Sequence, residues 1–373
     1  GNSQFIKSDR RITNVELRHI GTRIPRLCCI EPDKRPLYDG YAKFRIPLIR
    51  RSYLLRPLVR LIVAALAFAI APFSWSQSWP AKPVRVIVNV PPGGGIDQIT
   101  RAVTPRLSET FGQPFVVENR AGAGGVIGLE TVAKSAPDGY TLLSTIGSIV
   151  VTGPFLYKLR FDIERDLVPV APLARTLMFL VVRQSLPVKD VSEFIAQARA
   201  NPGKLNFGSP GIGTGPHIAA EMLLRAAKLQ AAHVPYKGSA ETMAALLGDT
   251  IDFAFDPGSA VRHARSGRLR LLAVASAART PLAPDTPTLA EAGVEVDAST
   301  VHGVYASGGT PRDLVTRLNR EIDRILRTDE ARKVIAAVSA EQISASPEEF
   351  ASQLRQDRQR FGAIIREANI HAD

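Results

Sequence analysis

The segment Val84-Arg-Val-Ile-Val-Asn-Val-Pro-Pro-Gly-Gly-Gly-Ile-Asp97 carries two structural signals and leads into a third. The Val/Ile-rich start predicts a buried strand over Val84–Val88. Gly93-Gly-Gly95 predicts a turn. Ile99, Val103 and Leu107, spaced by four, put one apolar face on a helix over Ile99–Thr110. A strand, a glycine turn and a helix in that order open a βαβ unit.

The alternation continues outward from this segment. Phe115-Val-Val117 reads as a second strand, Gly122–Gly128 as a glycine-rich turn into a helix ending near Lys134, and Tyr140–Thr145 as a third strand. A second set starts at Phe179-Leu-Val-Val182. Helices are predicted over Val191–Ala200, His217–Lys228 and Ala240–Leu247. Strands are predicted over Leu205–Gly208, His233–Tyr236, Ile251–Phe255 and Leu269–Ser276. After a strand at Gly303–Ser307, a helix runs from Thr310 or Pro311 to Leu326. Ser346-Pro-Glu-Glu349 has the N-cap and first-turn proline that start a final helix to about Ala368. Strands alternating with helices predict α/β architecture and a largely parallel sheet with helices on both faces. The layout suggests two α/β lobes, the first begun by residues 77–178 and completed by 301–373, the second formed by 179–300.

Composition narrows the function. The chain has 373 residues, about two domains' worth, and a formal net charge of +12. That charge sits at the front: residues 1–76 hold 14 Lys and Arg against 5 Asp and Glu, while the remaining 33 and 30 nearly balance. A nucleic-acid-binding domain would keep a basic face in its folded body, so no nucleic acid is expected as a partner. Arg50, Arg51, Arg56 and Arg60 precede the uncharged run Leu61–Ala71, and Ser74 and Ser76 are small residues before a cut after Ser76. This predicts a secretory signal over 50–76 and a periplasmic mature chain. Residues 1–49 are left unassigned. The two cysteines, Cys28 and Cys29, both precede Gln77.

The chemistry-bearing residues form no known catalytic constellation. No Gly-x-Ser-x-Gly elbow, phosphate-binding P-loop or paired-histidine metal motif occurs, so neither catalysis, a cofactor nor a metal is expected. Gly122-Ala-Gly124-Gly125-Val-Ile-Gly128 mimics a dinucleotide fingerprint but lacks the acidic residue that would follow; tight turning and close helix packing explain it. Arg262, Arg265, Arg268 and Arg270 read as a solvated face. Two loops stand out instead. Pro91–Asp97 and Gly208–His217 each join a strand to a helix N-terminus. Glycines let backbone N–H groups approach a ligand, and helix N-termini favour anions. Ser209 and Thr214 add hydroxyls, Asp97 reads as a helix cap or site residue, and His217 as first-turn packing or a ligand contact. One such loop per lobe is the pattern of a binder for an acidic small molecule.

These segments, in this order, resemble Bug-type periplasmic solute receptors, the extracytoplasmic component of tripartite tricarboxylate transporters. The resemblance runs from Trp79-Pro-Ala-Lys-Pro-Val-Arg85 to the end. It includes Gly112-Gln-Pro-Phe-Val-Val-Glu-Asn-Arg-Ala-Gly-Ala-Gly-Gly125, Ala136-Pro-Asp-Gly-Tyr-Thr-Leu-Leu143, Asn201-Pro-Gly-Lys-Leu-Asn-Phe-Gly-Ser209 and His233-Val-Pro-Tyr-Lys-Gly-Ser239. It implies a type II periplasmic-binding-protein fold, a Venus flytrap with hinge strands between its lobes. It also implies a small carboxylate ligand, transient contact with membrane transporter subunits, and a monomer. By position it places ligand contacts at Pro92, Gly93, Gly94, Ile96 and Asp97, at Thr145 and Ser148, and at Ser209, Gly213, Thr214 and His217. Tyr236, Gly238 and Asp256 would close the far end. The chain departs from the family pattern at Val90, Pro257 and His302, and His302 reads as a contact for a second carboxyl group or as hinge packing. An enzyme on the same fold, or a receptor that hands its ligand to a sensor protein, remains an alternative.

Overall fold

A computed structural model describes residues Trp79–His371. The leader expected over 50–76 and the segment 1–49 lie outside the described residues. The chain begins with β1 (Val84–Val88), α1 (Gly95–Phe111), β2 (Phe115–Asn119) and a 3-10 turn (Ala123–Gly125). It continues through α2 (Val126–Ala133), β3 (Thr141–Thr145), α3 (Gly147–Leu156), α4 (Ile163–Asp166) and β4 (Leu167–Thr176). It then crosses to β5 (Phe179–Arg183), α5 (Val191–Ala200), β6 (Asn206–Ser209), α6 (Gly215–Ala226) and β7 (Ala232–Pro235). There follow α7 (Ser239–Leu247), β8 (Phe253–Asp256), α8 (Ala260–Arg265) and β9 (Leu269–Val274). Strand β10 (Thr300–Ser307) returns, before α9 (Arg312–Leu326), α10 (Asp329–Ala337), β11 (Ala340–Glu341) and α11 (Pro347–Glu367).

These elements build two lobes around two sheets, with strand orders β11-β4-β10-β3-β1-β2 and β7-β6-β8-β5-β9. Each sheet is mixed, which corrects the expectation of a largely parallel one. β1 lies parallel to β2 and β3, and β6 parallel to β7 and β8, as helical crossovers require. β10 instead runs antiparallel to β3 and β4, and β5 antiparallel to β8 and β9. These strands carry the chain between lobes, so no crossover helix fixes their direction. The lobes join where β4 passes to β5 through Leu177 and Met178, and where Ala298 N–H donates to Ala275 O before Thr300 pairs with Thr176.

Several elements were not expected; β4 is the longest of the strands among them, and α3 is the helix that lines a cavity between the lobes. Strand β4 contains Pro169 and Pro172, which argue against an interior strand. Both lie at shifts of register against β10, where the ladder is already interrupted. Helix α3 carries the β-branched run Ile149-Val-Val-Thr152 and then Gly153-Pro154, a poor helical sequence. It is nevertheless buried on most of its surface, and burial of apolar side chains outweighs propensity there. It packs on α11, where Gly362 meets the ring of Phe155 so closely that a Cβ would not fit. Helix α11 starts with the reciprocal capping box of Ser346 and Glu349, with Pro347 at its first position.

Candidate functional site: a cleft walled by helix N-termini

The strands of each lobe release glycine-rich loops that run into helices. Helix α1 begins after Gly94, α3 after Ile146 and α6 after Thr214, and none of the three has a side-chain cap. Some of the other helices do: Asp190 caps α5, Thr328 caps α10 and Ser346 caps α11, whereas α2, α7, α8 and α9 also lack one. The first N–H groups of a helix have no partner within it, and the aligned peptide dipoles make that end positive. In α1, α3 and α6 those ends face a common cavity.

That cavity, of about 500 Å³, lies between the lobes. The first lobe contributes Val90, Gly94–Ile96, Gly124, Ser148, Ile149, Leu156 and Tyr157 to its wall; the second contributes Pro210, Ile212–Pro216, Ser239 and Pro257. Thr176, Met178, Thr300 and His302 line it from the strands that join the lobes. Among the described residues, the wall includes no Lys, Arg, Asp or Glu. The lobes touch beside it: Leu156 leaves no room for a Cβ on Gly213, nor Ser339 for one on Gly258. An anion in such a space meets backbone N–H groups and hydroxyls and no formal positive charge.

Each loop is held by a side chain that accepts one of its own N–H groups. In the first lobe, Gly93 N–H donates to Asp97 Oδ2 at 2.9 Å; Arg101 Nε donates to the same oxygen, and Asn119 Nδ2 to Oδ1. Burial pushes the Asp97 carboxyl up, but the Arg101, Gly93 and Asn119 hydrogen bonds outweigh it and hold the group below its ordinary value. In the second lobe, Gly213 N–H donates to His217 Nδ1 at 3.0 Å. The His217 ring stacks on His233 with centroids 3.9 Å apart. Burial, and then the neighbouring His233, lower its pKa to about 3, so it is neutral.

His302 serves α3 in the same way from another strand. Gly147 N–H, the first of the helix, donates to His302 Nδ1 at 3.0 Å. An imidazole that accepts at Nδ1 carries its proton on Nε2. Nε2–H therefore donates to Thr176 Oγ1, 2.8 Å away, and the Thr176 hydroxyl proton is left free to point elsewhere, into the cavity that Thr176 lines. Burial lowers the His302 pKa to about 4, in keeping with this neutral tautomer.

The sequence-predicted residues thus divide. Gly94, Ile96, Ser148, Gly213, Thr214 and His302 lie together on the wall. The others are set back from it. Pro92 and Gly93 are exposed at the loop tip. Asp97 and His217 face their own loops, as above. Thr145 is buried at the end of β3, paired with Gly303. Ser209 Oγ lies 2.7 Å from His233 Nε2 and 3.0 Å from Gly211 O. Tyr236 N–H donates to Ser209 O, and Gly238 O accepts from Thr242 Oγ1 ahead of α7. Asp256 accepts from Gly258 N, Ala260 N and Ser259 Oγ, which occupies both carboxylate oxygens at the start of α8. Among the arginines read as a solvated face, Arg270 instead donates to the carbonyls of Leu186 and Val188.

Sequence reasoning missed Ile149, Leu156 and Tyr157, because α3 was not expected, and Thr176, Met178 and Thr300, because β4 and the start of β10 were not. Val90 and Pro257 were singled out only as departures from a family pattern, yet both line the cavity. Among the described residues no three His, Cys, Asp or Glu side chains are grouped to hold a metal ion, and no helix is long and apolar enough to cross a membrane.

Comparison with known proteins gives concordant matches. A family model described as "Tripartite tricarboxylate transporter family receptor" matches residues 99–370. Protein BugT of Bordetella pertussis is 36% identical over 310 residues, covering 82% of this chain and 95% of BugT. The structure of R. palustris Rpa4515 with adipate has a TM-score of 0.68 at 32% identity, covering 79% of this chain and 100% of that one. MatC from Rhodopseudomonas palustris with bound malate has a TM-score of 0.64 at 29% identity, covering 77% and 100%.

Proposed function

We propose that this chain, which belongs to the tripartite tricarboxylate transporter receptor family, captures a small carboxylate-bearing solute between its lobes in the periplasm and delivers it to the membrane subunits of such a transporter. The observation that carries this reading is the convergence on one cavity of three helix N-termini whose own N-cap side chains accept none of their N–H groups, with no charged side chain among the described residues of its wall. A carboxylate there accepts N–H donors from both lobes at once, so it favours the closed arrangement over the open one by its differential affinity. The adipate and malate held by the two R. palustris relatives support the same solute class.

In this reading Gly94, Ile96, Ser148, Gly213 and Thr214 meet the solute, and His302 acts through Thr176. Asp97 and His217 hold the loops in shape; Pro92, Gly93, Thr145, Ser209, Tyr236, Gly238 and Asp256 support them from behind. Residues 77–178 with 301–373 form one lobe and 179–300 the other. The segment 50–76 directs export. The receptor works as a monomer and turns nothing over: in the wall's hydroxyl–imidazole pair, Thr176 and His302, the imidazole is the donor at Nε2 and cannot take the hydroxyl proton.

The test is native mass spectrometry of the purified protein, followed by thermal denaturation against a panel of carboxylic acids. A co-purified acid, or one that raises the melting temperature in proportion to its concentration, is the expected result. Chemical conversion of the bound acid, or no response to any acid, contradicts the reading.

A further inference from the structure

We infer that a groove shared by the two lobes docks an acidic segment of the transporter's membrane partner, and does so when the lobes are closed. This rests on the reading of the chain as a transporter receptor and adds where the partner sits and how it recognises a loaded receptor.

The groove, of about 610 Å³, adjoins the solute cavity; Gly95, Pro257 and Val338 wall both spaces. Its two sides come from different lobes. Gly95 and Gln98 at the start of α1, with Ala336–Ser339 at the end of α10, form one side. The segment from Pro257 through α8 to Arg265, with Pro281 and Leu282, forms the other. The sides meet where Ser339 packs against Gly258. Opening the lobes separates α8 from α10, so the groove exists only in the closed arrangement.

Its charge has one sign. Arg262 and Arg265, three residues apart on one face of α8, are exposed along it, and no Asp or Glu lines it among the described residues. Asp256, just before it, spends both carboxylate oxygens on Gly258 N, Ala260 N and Ser259 Oγ. Arg265 donates to Leu282 O through one terminal nitrogen, and a guanidinium has further donors for a carboxylate. Val261, Leu282 and Val338 add apolar lining. Carboxylates of a protein segment complement the arginines, and an adjoining apolar side chain covers the rest. A flat lipid surface does not enter such a groove. A partner that binds only the closed form favours closure, and the solute strengthens partner binding by the same factor as the partner strengthens solute binding.

A fluorescent hexaglutamate peptide, titrated into the protein at low salt, stands in for the partner segment. Its affinity should fall at least about tenfold in R262E/R265E, where two exposed ion pairs become repulsions. It should stay within about twofold in R355E/R366E, which reverses arginines of a different pocket. Saturating peptide, with no solute present, should compact the protein in small-angle scattering, and R262E/R265E should abolish that compaction. No peptide binding, equal losses in the two variants, or binding without compaction overturns the inference. So does preference for phosphatidylglycerol vesicles over the peptide through the same two arginines, or self-association of the protein that R262E/R265E abolishes. Neither measurement uses a solute, so failure of every carboxylic acid to bind would remove the carboxylate reading and leave this test as it stands.

Discussion

The two glycine-rich loops of the cleft reach the same geometry by different chemistry. In each, a glycine N–H donates to a side chain four residues further on, in the first turn of the following helix: Gly93 to Asp97 in one lobe, Gly213 to His217 in the other. Asp97 anchors its loop as an anion, partnered by Arg101 and Asn119. His217 anchors its loop as a neutral ring, stacked on His233 and Phe207. The glycines differ as well. Both have a left-handed φ, +84° at Gly93 and +73° at Gly213. Gly93 has open space around it, whereas Gly213 lies against Leu156 of the opposite lobe. The first loop is a free-standing anion cradle held by charge. The second is a contact surface for closure, held by packing and dependent on an uncharged histidine.

Substituting the paired glycines should separate these roles most sharply. A left-handed backbone costs an alanine about 1–2 kcal/mol at either site. Gly93→Ala should therefore weaken binding of a carboxylate by about thirtyfold at most. Gly213→Ala adds a clash with Leu156 that opposes closure, and should weaken it by more than about 100-fold. Small-angle scattering should still show ligand-induced compaction for the Gly93 variant and none for the Gly213 variant. Equal losses in calorimetric titration would dissolve the distinction.

Removing the anionic anchor should rank second. Asp97→Ala leaves the Gly93 N–H without its acceptor and takes one of two acceptors from the Asn119 amide, which keeps Val90 O, and from Arg101, which keeps Asn119 Oδ1. It should cost about 2 kcal/mol of unfolding free energy by denaturant titration, since Arg101 is half exposed and recovers water. A change below about 0.5 kcal/mol would mean the loop holds itself.

Acid should act on the second loop before the first. His217 and His302 have folded-state pKa values depressed to about 3 and about 4, and burial depresses that of His233 too. As pH falls through 6.5 the unfolded chain takes up protons that the folded chain does not. Stability is therefore full above pH 6.5 and declines from there toward pH 4. Asp97, also depressed, contributes stability that is lost only at lower pH, below its ordinary value. Melting temperature should thus drop between pH 6.5 and 4, and His217→Gln should flatten part of that slope. A flat profile over this window would contradict the neutral-anchor account.

The smallest effect belongs to the hinge. Thr176→Val removes one hydroxyl donor while keeping the shape, and should weaken carboxylate binding by about fivefold, near 1 kcal/mol. His302→Phe leaves Gly147 N–H unaccepted and Thr176 unoriented, and should shift relative affinities across a panel of acids more than it shifts melting temperature.

How much was legible follows from where the signals are local. β1, the loop–helix units and the capping box of α11 were readable because turn glycines, apolar spacing and cap residues lie within a few positions of one another. Helix α5 was placed at Val191–Ala200, where the structure has it. β4 and α3 were hidden because their prolines and β-branched residues oppose the local preference, and long-range pairing and burial override it. With them went Thr176, Leu156 and Tyr157. In the cleft, sequence marked two loops that line the cavity and then favoured their polar side chains. Asp97, His217 and Asp256 sit beside the cleft with their hydrogen-bonding atoms directed at backbone amides, and only the fold reveals that direction.

The most direct test of the central claim, that backbone N–H groups at three helix ends take the solute's carboxylate, is amide NMR of the isotopically labelled protein during titration with a bound acid. Downfield proton shifts concentrated at Gly95 and Ile96, Ser148 and Ile149, and Gly215 are the predicted result. Shifts centred instead on the arginine-lined groove at Arg262 and Arg265, or on the outer pocket at Arg355, Arg358 and Arg366, with those helix ends unmoved, would contradict it.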